Sequence, residues 1–215
     1  MLFFPSCFLG AFSSLLIPEM SESLAAGHRR SIASVTERSL GLTLAFSLFI
    51  ACFFLAFGEE LGLLFYNSRE AGGFLRMLAP LVPLLYLDTV TDGLLKGLDQ
   101  QIASLAFNTL DASLRVALMA SVLPVFGLRG YFCILYACGI LNISLSLSRL
   151  LKTARVRLSL SRWILRPLGA SLLCVGIWRW LPAPPVSTPI GLALAVGTAG
   201  GLYGILLSLP ILLKK

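Results

Sequence analysis

Charge is scarce in this chain. Only 13% of its 215 residues are Asp, Glu, Lys or Arg, and 57% are hydrophobic. A soluble domain carries roughly 25% charged and 45–50% apolar residues, and its surface needs polar groups. A soluble enzyme and a disordered chain are therefore poor fits. Histidine is nearly missing: His28 stands alone in a charged loop without cysteine neighbours, so a zinc site or a catalytic triad has no support. The cysteines, Cys7, Cys52, Cys133, Cys138 and Cys174, are odd in number and make no C-x-x-C pair. Thiols inside apolar runs behave as small hydrophobes, so neither a disulfide framework nor a metal site is expected. The chain has no G-x-S-x-G, H-E-x-x-H or Walker loop. Gly93–Gly97 (GLLKG) lies in an apolar run without the turn that a phosphate cradle needs. No enzymatic activity and no cofactor are expected. The first basic residue is Arg29, so the apolar start lacks the basic region of a signal peptide.

What the chain does have is apolar length. A spanning helix needs about 20 apolar residues across roughly 30 Å of hydrocarbon. Ser39–Phe57, Gly130–Ser148 and Pro189–Leu213 carry no charge. Gly72–Lys96 and Ile102–Pro124 are long enough with internal charges, Trp163–Leu181 is weaker, and Met1–Ile17 reads as a short membrane helix. The expected fold is an all-α membrane protein, a polytopic bundle of about six to seven transmembrane helices whose one obligatory partner is the lipid bilayer. Spans force successive loops to alternate sides. Segments 18–38, 97–101, 149–162 and 214–215 hold ten Lys and Arg residues, against two in 58–71, 125–129 and 182–188. Basic residues collect in cytoplasmic loops, which makes the first set cytoplasmic and the C-terminus internal. The same rule accounts for the net charge of +7. No aromatic-interleaved basic stripe is present, so no nucleic-acid partner is expected. Pro80 and Pro83 mark kinks in their span. Gly197–Gly204 (GTAGGLYG) offers a small-residue packing face. Arg149–Arg162, basic with interleaved Leu and Val, suits an amphipathic helix on the anionic inner leaflet.

Ionisable groups inside spans are costly and usually face a bundle interior or a water-filled cavity. Asp88 and Asp92 are four residues apart and share a helix face, with Thr91 beside them. Asn108, Asp111 and Arg115 follow at spacings of three and four on another face. Asp111 and Arg115 suit an i,i+4 ion pair. Lining of a translocation path is the functional reading of all five, and helix pinning is the alternative. Asp92 and Lys96 lie near a span end, where snorkelling also serves. Asn142 reads as a helix–helix hydrogen-bond contact.

Three stretches carry a family resemblance. Leu15–Gly27 (LLIPEMSESLAAG), Pro80–Gln101 (PLVPLLYLDTVTDGLLKGLDQQ) and Ala103–Tyr131 resemble, in order and at family-like spacing, the multidrug/oligosaccharidyl-lipid/polysaccharide flippase superfamily. Its branch similar to stage V sporulation protein B and to polysaccharide-biosynthesis proteins is the nearest in motif. Asp99 departs from the pattern, standing where the branch has glycine. The resemblance implies a MATE-like C-terminal lobe: residues 1–152 as part of that lobe, and 153–215 as a basic cytoplasmic segment with two extra transmembrane helices. It also implies a plasma-membrane, multi-pass protein and transport of lipid-linked sugars by alternating access between two lobes. The chain then reads as a fragment whose N-terminal lobe is a separate partner. A cation-coupled multidrug exporter, with Asp88 or Asp111 binding H⁺ or Na⁺, and a non-transporting remnant or scaffold subunit are the alternatives.

Overall fold

The computed structural model describes residues 3–156, 168–171, 176, 191, 197–198, 200–201 and 203. Among these no β-strand occurs. The chain runs through α1 (Phe3–Ala25), α2 (Arg29–Tyr66), α3 (Arg69–Leu78), a 3₁₀ turn (Ala79–Leu81), α4 (Val82–Gly97) and α5 (Gln101–Ala154). The expected spans Trp163–Leu181 and Pro189–Leu213 lie almost wholly outside the described residues.

Among the described residues three helical stretches are long and apolar enough to cross a membrane: 29–66, 69–97 and 101–154. At 1.5 Å per residue α5 would extend about 80 Å if straight, far more than one hydrocarbon thickness. It is instead two arms, 101–126 and 128–154, broken at Gly127 (φ 55, ψ −141), a backbone conformation that glycine adopts without steric cost. A five-residue loop was expected at 125–129, and the structure places a single-residue break there. The other connections are shorter than the apolar runs imply as well. Only 26–28, 67–68 and 98–100 separate the first helices. Apolar length reports what sits in hydrocarbon, whereas the helical hydrogen bonds continue past it into the charged ends.

Each turn is specified locally. Gly27, Asn67 and Asp99 have positive φ (67, 49 and 57), which glycine, Asn and Asp tolerate best. Asp99, which stands where the resembling motif has glycine, itself adopts the left-handed conformation. Ser68 caps α3 by accepting from the Ala71 amide at 3.4 Å. The kink expected at Pro80 is the 3₁₀ turn Ala79–Leu81. Residues 149–154 continue α5, which ends on Arg155 in the left-handed conformation. A surface helix starting at Arg149 is thus corrected: the basic stretch begins as the last turns of a long helix.

The chain divides into two compact units. The first comprises 3–43 and 84–158. Its helix α1 crosses α4 at Gly93 and Gly97. A Cβ on Gly93 would collide with Ser13, and one on Gly97 would lie 2.7 Å from Met20 Cβ. Small residues at this i,i+4 spacing let helices approach closely. At one end of this unit Ser21 Oγ donates to the Gly97 carbonyl at 3.2 Å. At the same turn Arg149 forks onto Gln100 Oε1 at 2.6 and 3.0 Å. Ser21, Gly97, Gln100 and Arg149, from three segments that alternation assigns to one side, thus meet at one end of the unit.

The second unit comprises 44–83 and 159–215. Here α2 and α3 form a tight hairpin. A Cβ on Gly62 would strike Gly72, and one on Gly72 would come within 2.5 Å of Glu59 Cα. Arg76 pairs with Glu59 across the hairpin. Phe49 stacks on Tyr203 with ring centroids 4.9 Å apart, and Tyr203 donates its hydroxyl to the Ala45 carbonyl at 2.7 Å. The small-residue face expected at Gly197–Gly204 lies partly outside the described residues. A Cβ at Gly197, Gly200 or Gly201 would meet nothing within 4 Å, and Tyr203 makes the contact instead.

Candidate functional site

The first unit carries a groove of about 330 Å³ between α1 and α4. From α1 it takes Gly10, Ser13, Ser14 and Ile17, a single helical face. From α4 it takes Asp88, Thr89, Asp92, Gly93 and Lys96, and Asn108 of α5 closes one side. Gly93 is lined up here because α1 passes too close for any side chain. Ser13 is buried and donates to the Thr89 carbonyl at 3.0 Å, which fixes the register of the two walls.

Asp88 and Asp92 do share the groove face, as their spacing requires. Thr91 does not: it is fully buried with its hydroxyl unpartnered. At about 100° per residue, Thr91 points away from the side on which Thr89, Gly93 and Lys96 extend the groove.

A chain of hydrogen bonds ties the polar residues together. Asn142, on the second arm of α5, donates to Asp88 Oδ1 at 3.1 Å and to Asn108 Oδ1 at 3.4 Å. Asn108 in turn donates to Asp92 Oδ1 at 3.3 Å. Asp92 also accepts from Ser104, and its other oxygen pairs with Lys96 at 2.6 Å. Asp92 is therefore held in a network rather than simply reaching for the interface. Asp111, one turn beyond Asn108, pairs with Arg115 a further turn along at 2.7 Å. Asp111 is 8% exposed; its second oxygen and Arg115 Nε are buried without partners. Both residues lie close enough to Asp88 to act on it electrostatically. Ser13, Ser14, Thr89 and Ser104 were not anticipated as part of the site. Hydroxyls in apolar helices carry no periodic signal, and only the helix pairing shows which of them face the carboxylates.

Asp92 and Asp111 each have a cation as neighbour, Lys96 and Arg115. Asp88 accepts from the amide of Asn142 through Oδ1, and Arg115 acts on it without forming a salt bridge. The groove thus presents one carboxylate outside any salt bridge, a lysine ammonium and several hydroxyl oxygens to whatever enters. Among the described residues no group of three or more His, Cys, Asp or Glu forms a metal-holding cluster.

In comparison with known families, the MatE family model matches residues 2–120, more than half of the chain. The chain belongs to the MatE family. MatE proteins are membrane transporters of the multidrug/oligosaccharidyl-lipid/polysaccharide superfamily, not enzymes. The matched region contains α1, the groove wall on α4 and the Asn108–Asp111–Arg115 face; Asn142 lies beyond it. No curated protein and no solved structure matches the chain. An apolar helical chain of this family is a membrane protein.

Proposed function

We propose that the chain is a lobe of an exporter that flips lipid-linked oligosaccharide or polysaccharide precursors. The lining of the groove is the observation that carries this reading. Seven of its ten residues are polar, and Ile17 is the one large apolar side chain. Pockets for drug-like molecules are mostly hydrophobic and aromatic, and a lipophilic drug would find little apolar wall here. A sugar would find acceptors at Asp88 and the serine hydroxyls, and donors at Lys96. Arg115 lies beyond the groove lining; it spends one nitrogen on Asp111, which leaves donors of its planar guanidinium for a diphosphate reaching past Asn108. The substrate lipid would remain in the bilayer while its head group crosses.

In this reading residues 1–152 form the lobe, 153–215 add a basic cytoplasmic segment and two further helices, and a separate N-terminal lobe completes the path. The protein sits in the plasma membrane with its basic end and C-terminus in the cytoplasm. The motifs at 15–27, 80–101 and 103–131 support kinship with the polysaccharide-biosynthesis and stage V sporulation B-like flippases.

One observation favours a second reading. Asp88 is the groove carboxylate that makes no salt bridge among the described residues, which suits a cation-coupled drug exporter. The purified chain in detergent separates the two. A fluorescent polyprenyl-diphosphate disaccharide should bind, and Arg115→Ala or Asp88→Asn should weaken it by about tenfold or more. Binding of ethidium without the disaccharide, lost in Asp88→Asn, would favour the drug exporter. Binding of neither, alone or co-expressed with an N-terminal lobe, would leave a scaffold subunit.

A further inference from the structure

We propose that Asn142, which lies outside the groove, is a positioning residue that sets how Asp88 and Asn108 are presented inside it. Asn142 is 5% exposed. Its amide nitrogen has two protons, and both are committed: one to Asp88 on α4, one to Asn108 on the first arm of α5. One side chain on the second arm therefore joins the other two polar helices. The assignment of its nitrogen and oxygen follows from the partners. Turning the amide over would set its oxygen against two acceptor oxygens, a doubly repulsive arrangement. Its own oxygen has no protein partner, so the donors alone fix the orientation.

The consequence reaches both groove carboxylates. With Asp88 Oδ1 held by Asn142, Oδ2 is the oxygen left for a ligand. With Asn108 Oδ1 held by the same amide, Asn108 Nδ2 is turned toward Asp92. An amide donor also favours the ionised form of the carboxyl it touches. The charged groups around Asp88 are Asp92 on its own helix, and Asp111 and Arg115 on α5. From α1 the groove receives only Gly10, Ser13, Ser14 and Ile17, none of them charged.

This role builds on the groove as the substrate site proposed above, while its test needs no transport, so the two can fail separately. A hydrophobic carbodiimide reacts with a protonated carboxyl and spares an ionised one. The full chain in detergent is treated at neutral pH, and labelling at Asp88 and Asp111 is quantified by peptide mass spectrometry. Asn142→Leu, close in volume and without a donor, should raise Asp88 labelling at least threefold. Labelling at Asp111, which keeps Arg115, should stay within experimental error of the unmutated chain. Asn142→Gln, which keeps two amide donors, should leave both sites near their original level. Unchanged Asp88 labelling in Asn142→Leu overturns the proposal. So does a parallel rise at Asp88 and Asp111, the signature of a residue that merely packs the helices.

Discussion

Asp111 and Arg115 sit near the middle of the first arm of α5, where a lone charge costs about 2.5–3.5 kcal/mol on insertion scales. Pairing at 2.7 Å lowers that cost and explains why the two occur together. Removing one partner is therefore worse than removing both charges. Arg115→Ala should lower stability in detergent by about 1–3 kcal/mol, and the double variant Asp111→Asn/Arg115→Ala should recover most of it. Thermal unfolding of the four combinations measures the coupling; additive losses would mean that the pair contributes nothing. This pair was legible in the sequence because i,i+4 spacing fixes it within one helix. Asn142 was legible as a cross-helix contact, though not its two partners. The bond from Ser13 to Thr89 spans 76 positions and could not be read, since it depends on which helices pack. Thr91 was misplaced because three residues along a helix is near the limit of sharing a face, and the groove extends to the other side of Asp88.

Helix pairs in this protein meet at glycines. α1 and α4 meet at Gly93 and Gly97; α2 and α3 meet at Gly62 and Gly72. Without a hydrophobic driving force between helices in lipid, close backbone approach and dispersion must supply the attraction. Gly62 and Gly73 give a matched comparison within one hairpin. A methyl at Gly62 would strike the Gly72 backbone, whereas a methyl at Gly73 meets nothing within 4 Å. Gly62→Ala should destabilise the hairpin by about 1–3 kcal/mol. Gly73→Ala should be neutral or stabilise α3 by up to about 1 kcal/mol. Protease sensitivity of the 59–76 hairpin checks this, and equal behaviour of the two variants would remove the close contact from the account. The glycine run that drew attention in the sequence was Gly197–Gly204. Small-residue spacing is common in apolar helices, and it becomes a packing site only where a partner helix passes, as at Gly93 and Gly97.

At the scale of the molecule, the long apolar runs, the break at Gly127 and the meeting of Ser21, Gly97, Gln100 and Arg149 at one end of the first unit follow one rule. Helices longer than the hydrocarbon thickness place their charged ends in water and their bare apolar faces in lipid. Ile102, Leu105 and Val116 on α5 are among the most exposed large side chains, a surface suited to acyl chains. That much was readable from apolar run length and charge alternation. The groove was not, because it is a product of the α1–α4 crossing. Its polarity inside an apolar bundle is the central claim, and adjacent positions on α1 test it. Ser14 lines the groove, while Leu15 is 71% exposed on the outer face. Each is replaced by cysteine in a chain lacking its five native cysteines, in native membranes. A hydrophilic methanethiosulfonate should modify Ser14→Cys and not Leu15→Cys, and a lipid-linked sugar should slow the Ser14→Cys reaction. An inert Ser14→Cys, or equal reaction at both positions, would contradict a water-accessible groove.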